Sequence, residues 1–521
     1  MGLTALLVAA ALGSACENFL DVNDNPNAPE VVSPNLYLPP MLHWLVMSPQ
    51  WDGRFVGRYI QSWTLPQTSG TTPNTWDRMG YDPGSDNGAQ QWRDVYWSLG
   101  QNLVDMMARA EAEERWDVLG VGYILKAWGW QVTTDLHGEI IVKEAIDPTK
   151  FSFNYDTQEY AYQEVLRLLD QAIVLLQRSD GAVDAGYMAV GDKIYNGDRT
   201  KWLKLAYGLK AMSLNHFSNK ASYDPAAVIK LVDQSFTSNA DDPVFTYPGT
   251  STDNADKNFW GRTRGNIASY RQTTFMLGLM DGTQFGGVVD PRMSRMLAPS
   301  PDGQFRGIDP NIGYGSMPTA QRPNNLHGYA GTGGTGAPGR YLFDDKSKIP
   351  LMTYAQLQFI KAEAAYRGGN TGLARSAYLE GVAAHIDFVN ARNAEIANPD
   401  ITPISAAEKS AFLASSAIAP AAITLSHIMS QKFIAQWGWG TNEAWMDMRR
   451  YRYTDMDPVS GTQVFRGYSI PTNLYPDNGG RTVQRIRPRY NSEYVWNRAG
   501  LDAIGGLALD YHTKPMWIIQ P

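Results

Sequence analysis

Cysteine is almost absent from this chain, with one residue, Cys16, among 521. A lone thiol excludes a disulfide framework and any cysteine-rich zinc site, so its position becomes the informative point. Long apolar runs are missing too. The run from Leu3 to Leu12 is only ~10 residues, where a membrane-spanning helix needs ~20. No stretch is rich in Lys or Arg and the net charge is −7, which argues against a nucleic-acid partner, because phosphate binding needs a concentrated basic face.

Catalytic and metal motifs are equally scarce. Neither H-E-x-x-H nor G-x-S-x-G occurs, and His43, His137, His216, His327, His385, His427 and His512 show no paired spacing. Gly331, Gly333 and Gly336 have the spacing of a dinucleotide loop, but Pro338 and Gly339 follow where a helix must begin, so they read as a flexible loop. Asp21, Asn23 and Asn25 imitate the start of a calcium loop, yet Pro26 stands where Gly is required and Val32 where a bidentate Glu belongs. Asp135, His137 and Glu139 alternate without a further His or Cys nearby and read as a satisfied surface turn. The sequence thus predicts no cofactor, no metal and no catalytic residue.

What remains is globular material: 43% hydrophobic, 19% charged, with 16 Trp and 27 Tyr against 17 Phe. The excess lies in rings that combine an apolar face with a polar edge, which suits sugar stacking and wet interfaces. Residues 1–15, an Ala/Leu/Val run closed by Gly13, Ser14 and Ala15, read as an export signal. Cys16 comes next, as in a bacterial lipobox, where the cysteine becomes the lipidated first residue. Residues 16–34 are rich in Asn, Asp and Pro and read as a flexible tether, with residues 35–521 forming the folded body.

Helical periodicity dominates that body and comes in pairs, at about 92–135, 158–219, 351–389 and 424–450. Val95, Leu99, Leu103 and Met107 share one face in the first pair, and Val165, Leu168, Leu169, Ala172 and Leu176 keep register in the second. Hairpins that cannot bury their faces alone look like a solenoid of tetratricopeptide type, although a strict 34-residue period is absent. Periodicity fades at about 63–91 and 219–349, where Gly, Pro, Asn and Tyr take over. Loops of that length are often functional.

Several blocks resemble the SusD/RagB family of outer-membrane nutrient-binding lipoproteins, in particular its SusD-like branch. They are FLDVNDNPN from Phe19, WRDVYWSLGQN from Trp92, ILKAWGWQVTTDLHGEI from Ile124, GDKIYNGDRTKWLKLAYGLKA from Gly191, DPRM from Asp290, PLMTYAQLQFIKAEAAYRG from Pro350, QKFIAQWGWGTNEAWMDMRR from Gln431 and KPMW from Lys514. The chain departs from the family pattern at Gly138-Glu139-Ile140-Ile141 and around Arg489-Tyr490-Asn491. The resemblance implies a mainly α fold of four tetratricopeptide-like hairpins carrying long irregular insertions. It further implies a lipid anchor at Cys16 in the outer membrane, facing outward, and a SusC-like TonB-dependent barrel as partner. The protein would be a lid over that barrel that captures oligosaccharide or peptide.

Candidate ligand contacts are the large rings of the two insertions: Trp76 and Tyr81 in the first, and Trp260, Tyr270, Tyr314 and Tyr329 in the second. They lie in Gly/Pro/Asn-rich loops without helical neighbours in sequence, which leaves their faces available to a pyranose. Two other classes stay open from sequence alone: a secreted glycosidase, since paired carboxylates ~5 to 10 Å apart have no sequence signature, and a scaffold binding a partner protein on its concave face.

Overall fold

The computed structural model describes residues 32–67, 71–332 and 338–521. Cys16, the export signal and the tether up to residue 31 lie outside the described residues. The first long helix, α1 (Leu38–Tyr59), has proline in its opening turn, where a missing N–H costs nothing. Gly57 on α1 lets the Trp63 ring lie directly on the helix, since a Cβ there would stand 2.5 Å from that ring.

The main helices then follow, most of them where the periodicity places them. They are α2 (Gly100–Ala112), α3 (Trp116–His137), α4 (Gln158–Gln177), α5 (Arg199–His216), α6 (Pro225–Asp233), α7 (Tyr354–Arg367), α8 (Thr371–Ala394), α9 (Leu425–Gln436) and α10 (Thr441–Arg450). Their starts are set by side-chain caps that occupy otherwise orphaned N–H groups. Thr157 accepts from Tyr160 N at 3.2 Å, Asp198 from Thr200 N at 2.9 Å, Thr353 from Gln356 N and Asn370 from Leu373 N at 3.1 Å.

The helices form a continuous array rather than separate hairpins. α3 is flanked by α2 and α4 and touches α1, α5 and α10 as well, so it is buried around nearly its whole circumference. Its most extensive contact is with α4, not with α2, its neighbour across the short turn. α6 wedges between α5 and α7. That helix falls inside the stretch expected to be irregular, because nine residues carry too few apolar repeats for a periodic signal, although Asp224 and Pro225 supply a cap and an N1 proline.

The two insertions are less loose than their composition implies. β1 (Trp63–Thr64) in the first pairs antiparallel with β3 (Arg271–Gln272) in the second, Trp63 opposite Gln272. β2 (Val244–Phe245) pairs likewise with β4 (Ile349–Pro350). Trp63, Trp76, Met79, Phe259, Trp260 and Phe275 are buried in one apolar cluster continuous with the helical core. The insertions therefore contribute core as well as surface.

Candidate functional site

A wide aromatic hollow is built outward from two buried carboxylates. Asp52 on α1 accepts the backbone N–H groups of Gln90 at 2.9 Å and Gln91 at 2.7 Å. Burial raises its pKa to about 7 even though both N–H groups favour the charged form. Asp94 accepts from Ser48, from Gln90 Nε2 at 2.8 Å and from Ser98 at 2.8 Å. Together they fasten the turn Gln90–Arg93 to α1, and the chain continues as a π-helical turn, Asp94–Ser98, closed by Leu99 N on Asp94 O at 2.7 Å.

One π turn inserts an extra residue into the helical repeat and so redirects side chains. Trp92 points inward and is 2% exposed, whereas Trp97 stands 68% exposed at the rim. A second π turn, Tyr490–Tyr494, forms part of the opposite lining. Between them lies a cleft of about 730 Å³, walled by Trp51, Trp92, Tyr96, Trp97, Phe153 and Ile141.

Four charged side chains line this cleft: Asp86, Arg93, Arg489 and Glu493. Arg489 pairs with Asp86 at 2.7 Å, and Asn491 donates to the same carboxylate through N at 2.9 Å and Nδ2 at 2.8 Å. Glu493 is buried and accepts from Tyr155 at 2.7 Å, Asn497 at 2.9 Å and Trp92 Nε1 at 3.3 Å. Arg93 lays its guanidinium over the Trp97 ring, 4.6 Å from the centroid. Tyr96 is fixed behind them, its hydroxyl donating to Ile141 O at 2.7 Å and accepting from Ile141 N at 3.0 Å.

The six rings singled out in the sequence are not brought to one place. Trp76 is 1% exposed, wedged against Phe55 and Tyr59, with Nε1 on Asp82 at 2.8 Å. Tyr81 donates to Asp477 at 2.8 Å beneath Arg487, and with Trp76 it lines a hollow of about 210 Å³ that shares Tyr490 with the loop bordering the cleft. Trp260, 1% exposed, packs between Trp63 and Phe259, and Tyr270 is buried near Arg58. The expectation that rings in irregular loops keep a free face is corrected for Trp76 and Trp260, because each insertion uses its largest ring to close its own core. Tyr314 and Tyr329 are half-buried. Arg271 bonds Tyr314 and, at 2.6 Å, the Gly331 carbonyl, which gathers both segments on one side of β3. Trp97, Arg93, Phe153 and Arg489 are absent from the sequence-based candidates. The available signal was Trp97, a large ring two residues out of step with Val95 and Leu99.

Asp135, His137 and Glu139 diverge, and the first two are buried rather than part of a surface turn. His137 donates through Nδ1 to Ile486 O at 3.1 Å, and burial lowers its pKa to about 3. Glu139 meets Arg485. Asp135 instead converges with His216 and Glu443, their ligand atoms within 4.8 Å of one another. Those atoms are already engaged: His216 Nε2 faces Glu443 at 3.0 Å, Nδ1 faces the Tyr162 hydroxyl at 3.0 Å, and Asp135 accepts from Tyr162 and, at 2.8 Å, from Gln131. Burial opposes charge on His216, but Glu443 and Asp135 outweigh it and raise its pKa. The imidazole is held between the two carboxylates, and the three side chains satisfy one another. The network continues through Lys432, Asp447 and Arg450 to Glu363, joining α3, α5, α7, α9 and α10.

The fold is thus a helical array that carries a wide, ring-walled cleft. The chain belongs to the SusD-like family: the family model described as starch-binding, associating with the outer membrane, matches residues 26–476. It is a member of a nutrient-binding family associated with the outer membrane, and no described helix is long and apolar enough to cross a membrane. A SusD/RagB family protein from Bacteroides thetaiotaomicron is 20% identical with a TM-score of 0.68, covering 94% of this chain and 99% of that one. A SusD homologue from Bacteroides fragilis is 19% identical with a TM-score of 0.69, over 94% and 100% of the two chains. A chitin-binding protein is 20% identical with a TM-score of 0.68, again over 94% and 100%. At these identities the likeness is one of fold. Comparison with curated protein sequences gives no significant match.

Proposed function

We propose that this protein is a surface lipoprotein, anchored through Cys16, that captures oligosaccharide in the cleft between the two π turns and passes it to a SusC-like TonB-dependent barrel. The observation that carries the reading is Trp97, 68% exposed at the rim of an aromatic-walled cleft of about 730 Å³. Set at the rim of the cleft rather than isolated on the surface, its flat face is open to the solvent side and matches the apolar face of a pyranose. Tyr314 and Tyr329 provide a second stacking surface for a longer chain. Trp76, Tyr81, Trp260 and Tyr270 act by holding the insertions in place.

Capture rather than hydrolysis is favoured by the state of the cleft carboxylates. Asp86 is neutralised by Arg489, and Glu493 accepts three hydrogen bonds. Neither is a carboxyl freed to exchange protons with a glycosidic oxygen. Peptide capture by the same cleft is the second reading, favoured by the apolar wall of Ile141, Phe153 and Trp92.

The test is a comparison of Trp97→Ala with Tyr314→Ala, titrated with a panel of soluble glycan oligomers and a peptide digest. The reading expects Trp97→Ala to weaken glycan binding by roughly fivefold or more, the worth of about one aromatic stack. Unchanged glycan affinity in Trp97→Ala contradicts the cleft as the capture site, and binding of peptides alone replaces the saccharide by the second reading.

A further inference from the structure

The charge pattern of the cleft identifies the class of saccharide, an inference that rests on the cleft being the capture site. We propose that the ligand is an acidic oligosaccharide whose carboxylate pairs with Arg93 while its pyranose ring stacks on Trp97.

The cleft lining leaves one cation without a counter-charge. Of the four ionisable groups in the lining, Asp86 and Arg489 neutralise each other at 2.7 Å. Glu493 is held by three donors. Asp94, directly behind Arg93 in sequence, is buried and shared among Ser48, Gln90 and Ser98. Arg93, the second cation of the lining, has no ion-pair partner among the described residues and rests its guanidinium on the Trp97 ring, whereas Glu493, also without a cation, has its oxygens filled by those three neutral donors. Buried guanidiniums elsewhere are matched either by carboxylates, as Arg58 is by Asp77 at 2.7 Å, Arg292 by Asp290 at 2.5 Å and Arg450 by Glu363 at 2.7 Å, or by backbone carbonyls, as Arg271 is by Tyr270 O at 2.9 Å and Arg449 by Gln484 O at 2.8 Å. A half-buried guanidinium with neither gains most from an anion brought by the ligand.

The geometry favours a carboxylate on a sugar over a free anion. Cation–π contact holds the guanidinium plane beside the indole and fixes the fork of N–H donors. A carboxylate accepts two parallel N–H bonds from such a fork. In a uronic acid the carboxylate projects from the edge of the pyranose, so a ring lying on Trp97 can place it at Arg93, whereas a neutral hexose offers only a hydroxymethyl group there. The net charge of −7 opposes an anion at long range, but salt confines that repulsion to about 8 Å under physiological conditions, within which Arg93 decides.

The experiment is calorimetric titration of the folded protein with oligogalacturonates and oligoglucuronates, each against the neutral galactan or glucan oligomer of equal length. The acidic member of each pair should bind roughly tenfold tighter or more, as expected for a charge-assisted bidentate contact. Arg93→Gln should lower acidic-oligomer affinity far more than neutral-oligomer affinity and so remove that preference, and Arg93→Lys should restore part of it. Equal or tighter binding of the neutral oligomers by the wild type overturns the inference and leaves the capture site standing. Preference for sulfated over carboxylated oligomers also overturns it. Failure of both acidic and neutral oligomers to bind removes the capture reading itself.

Discussion

Replacing Trp260 and replacing Trp97 by alanine should have opposite consequences, although both are tryptophans outside the regular helical pairs' apolar faces. Trp260 is 1% exposed and packs 5.5 Å from Trp63 and 5.4 Å from Phe259, beneath the β1–β3 pairing that ties the insertions together. Truncating a fully buried tryptophan removes its transfer free energy and leaves a cavity, together ~3–5 kcal/mol. Trp97 is 68% exposed and touches mainly Arg93. Its loss removes a surface cation–π contact of ~0.5–1 kcal/mol. Urea denaturation followed by far-UV circular dichroism should therefore show a large drop in midpoint for Trp260→Ala and a small one for Trp97→Ala. Titration with a bound glycan should show the reverse order: affinity lost in Trp97→Ala and retained in the folded fraction of Trp260→Ala. If Trp97→Ala unfolds as readily as Trp260→Ala, or if Trp260→Ala keeps its midpoint and loses binding, the division between anchoring rings and contacting rings is wrong.

Three further outcomes are expected. His216 has a raised pKa in the fold, so the stability it contributes is full below pH 6.5 and lost as pH rises through the folded value; His216→Leu should flatten the alkaline decline of the urea midpoint, and an identical pH slope in the variant contradicts the buried imidazolium. Gly57→Ala drives a methyl to 2.5 Å from the Trp63 ring and should cost ~1–3 kcal/mol through overpacking, read as a lower thermal midpoint; an unchanged midpoint means that Trp63 yields easily. Cys16→Ala should release the protein from the membrane fraction in the native host, and continued sedimentation with membranes would count against the lipid anchor.

The helical part of the fold was legible because its signal is local. Val95, Leu99 and Leu103 share a face in sequence and are all buried, and Asp198 and Asn370 mark helix starts by chemistry alone. The cleft was not legible, for two physical reasons. Its walls come from Trp51 and from residues 86–97, 141–153 and 489–493, which only the folded array unites. The exposure of Trp97 depends on a π turn, and a one-residue change of helical pitch has no signature in the pattern of apolar residues. Composition misled where it marked Trp76 and Trp260 as available, because Gly- and Pro-rich segments also need a core, and large rings supply it. One sequence clue was close to the mark: the departures from the family pattern, at Gly138–Ile141 and Arg489–Asn491, both border the cleft through Ile141 and Arg489.

The central claim is that the protein holds a saccharide without altering it. The most direct measurement is a calorimetric titration of the protein beginning at Glu17 with acidic and neutral oligosaccharides, after which each oligosaccharide is recovered and its length determined by mass spectrometry. Saturable heat with every oligosaccharide recovered at its original length is the predicted result. Shortened oligosaccharide would make the protein an enzyme, and absence of heat across the panel would contradict capture by the isolated protein.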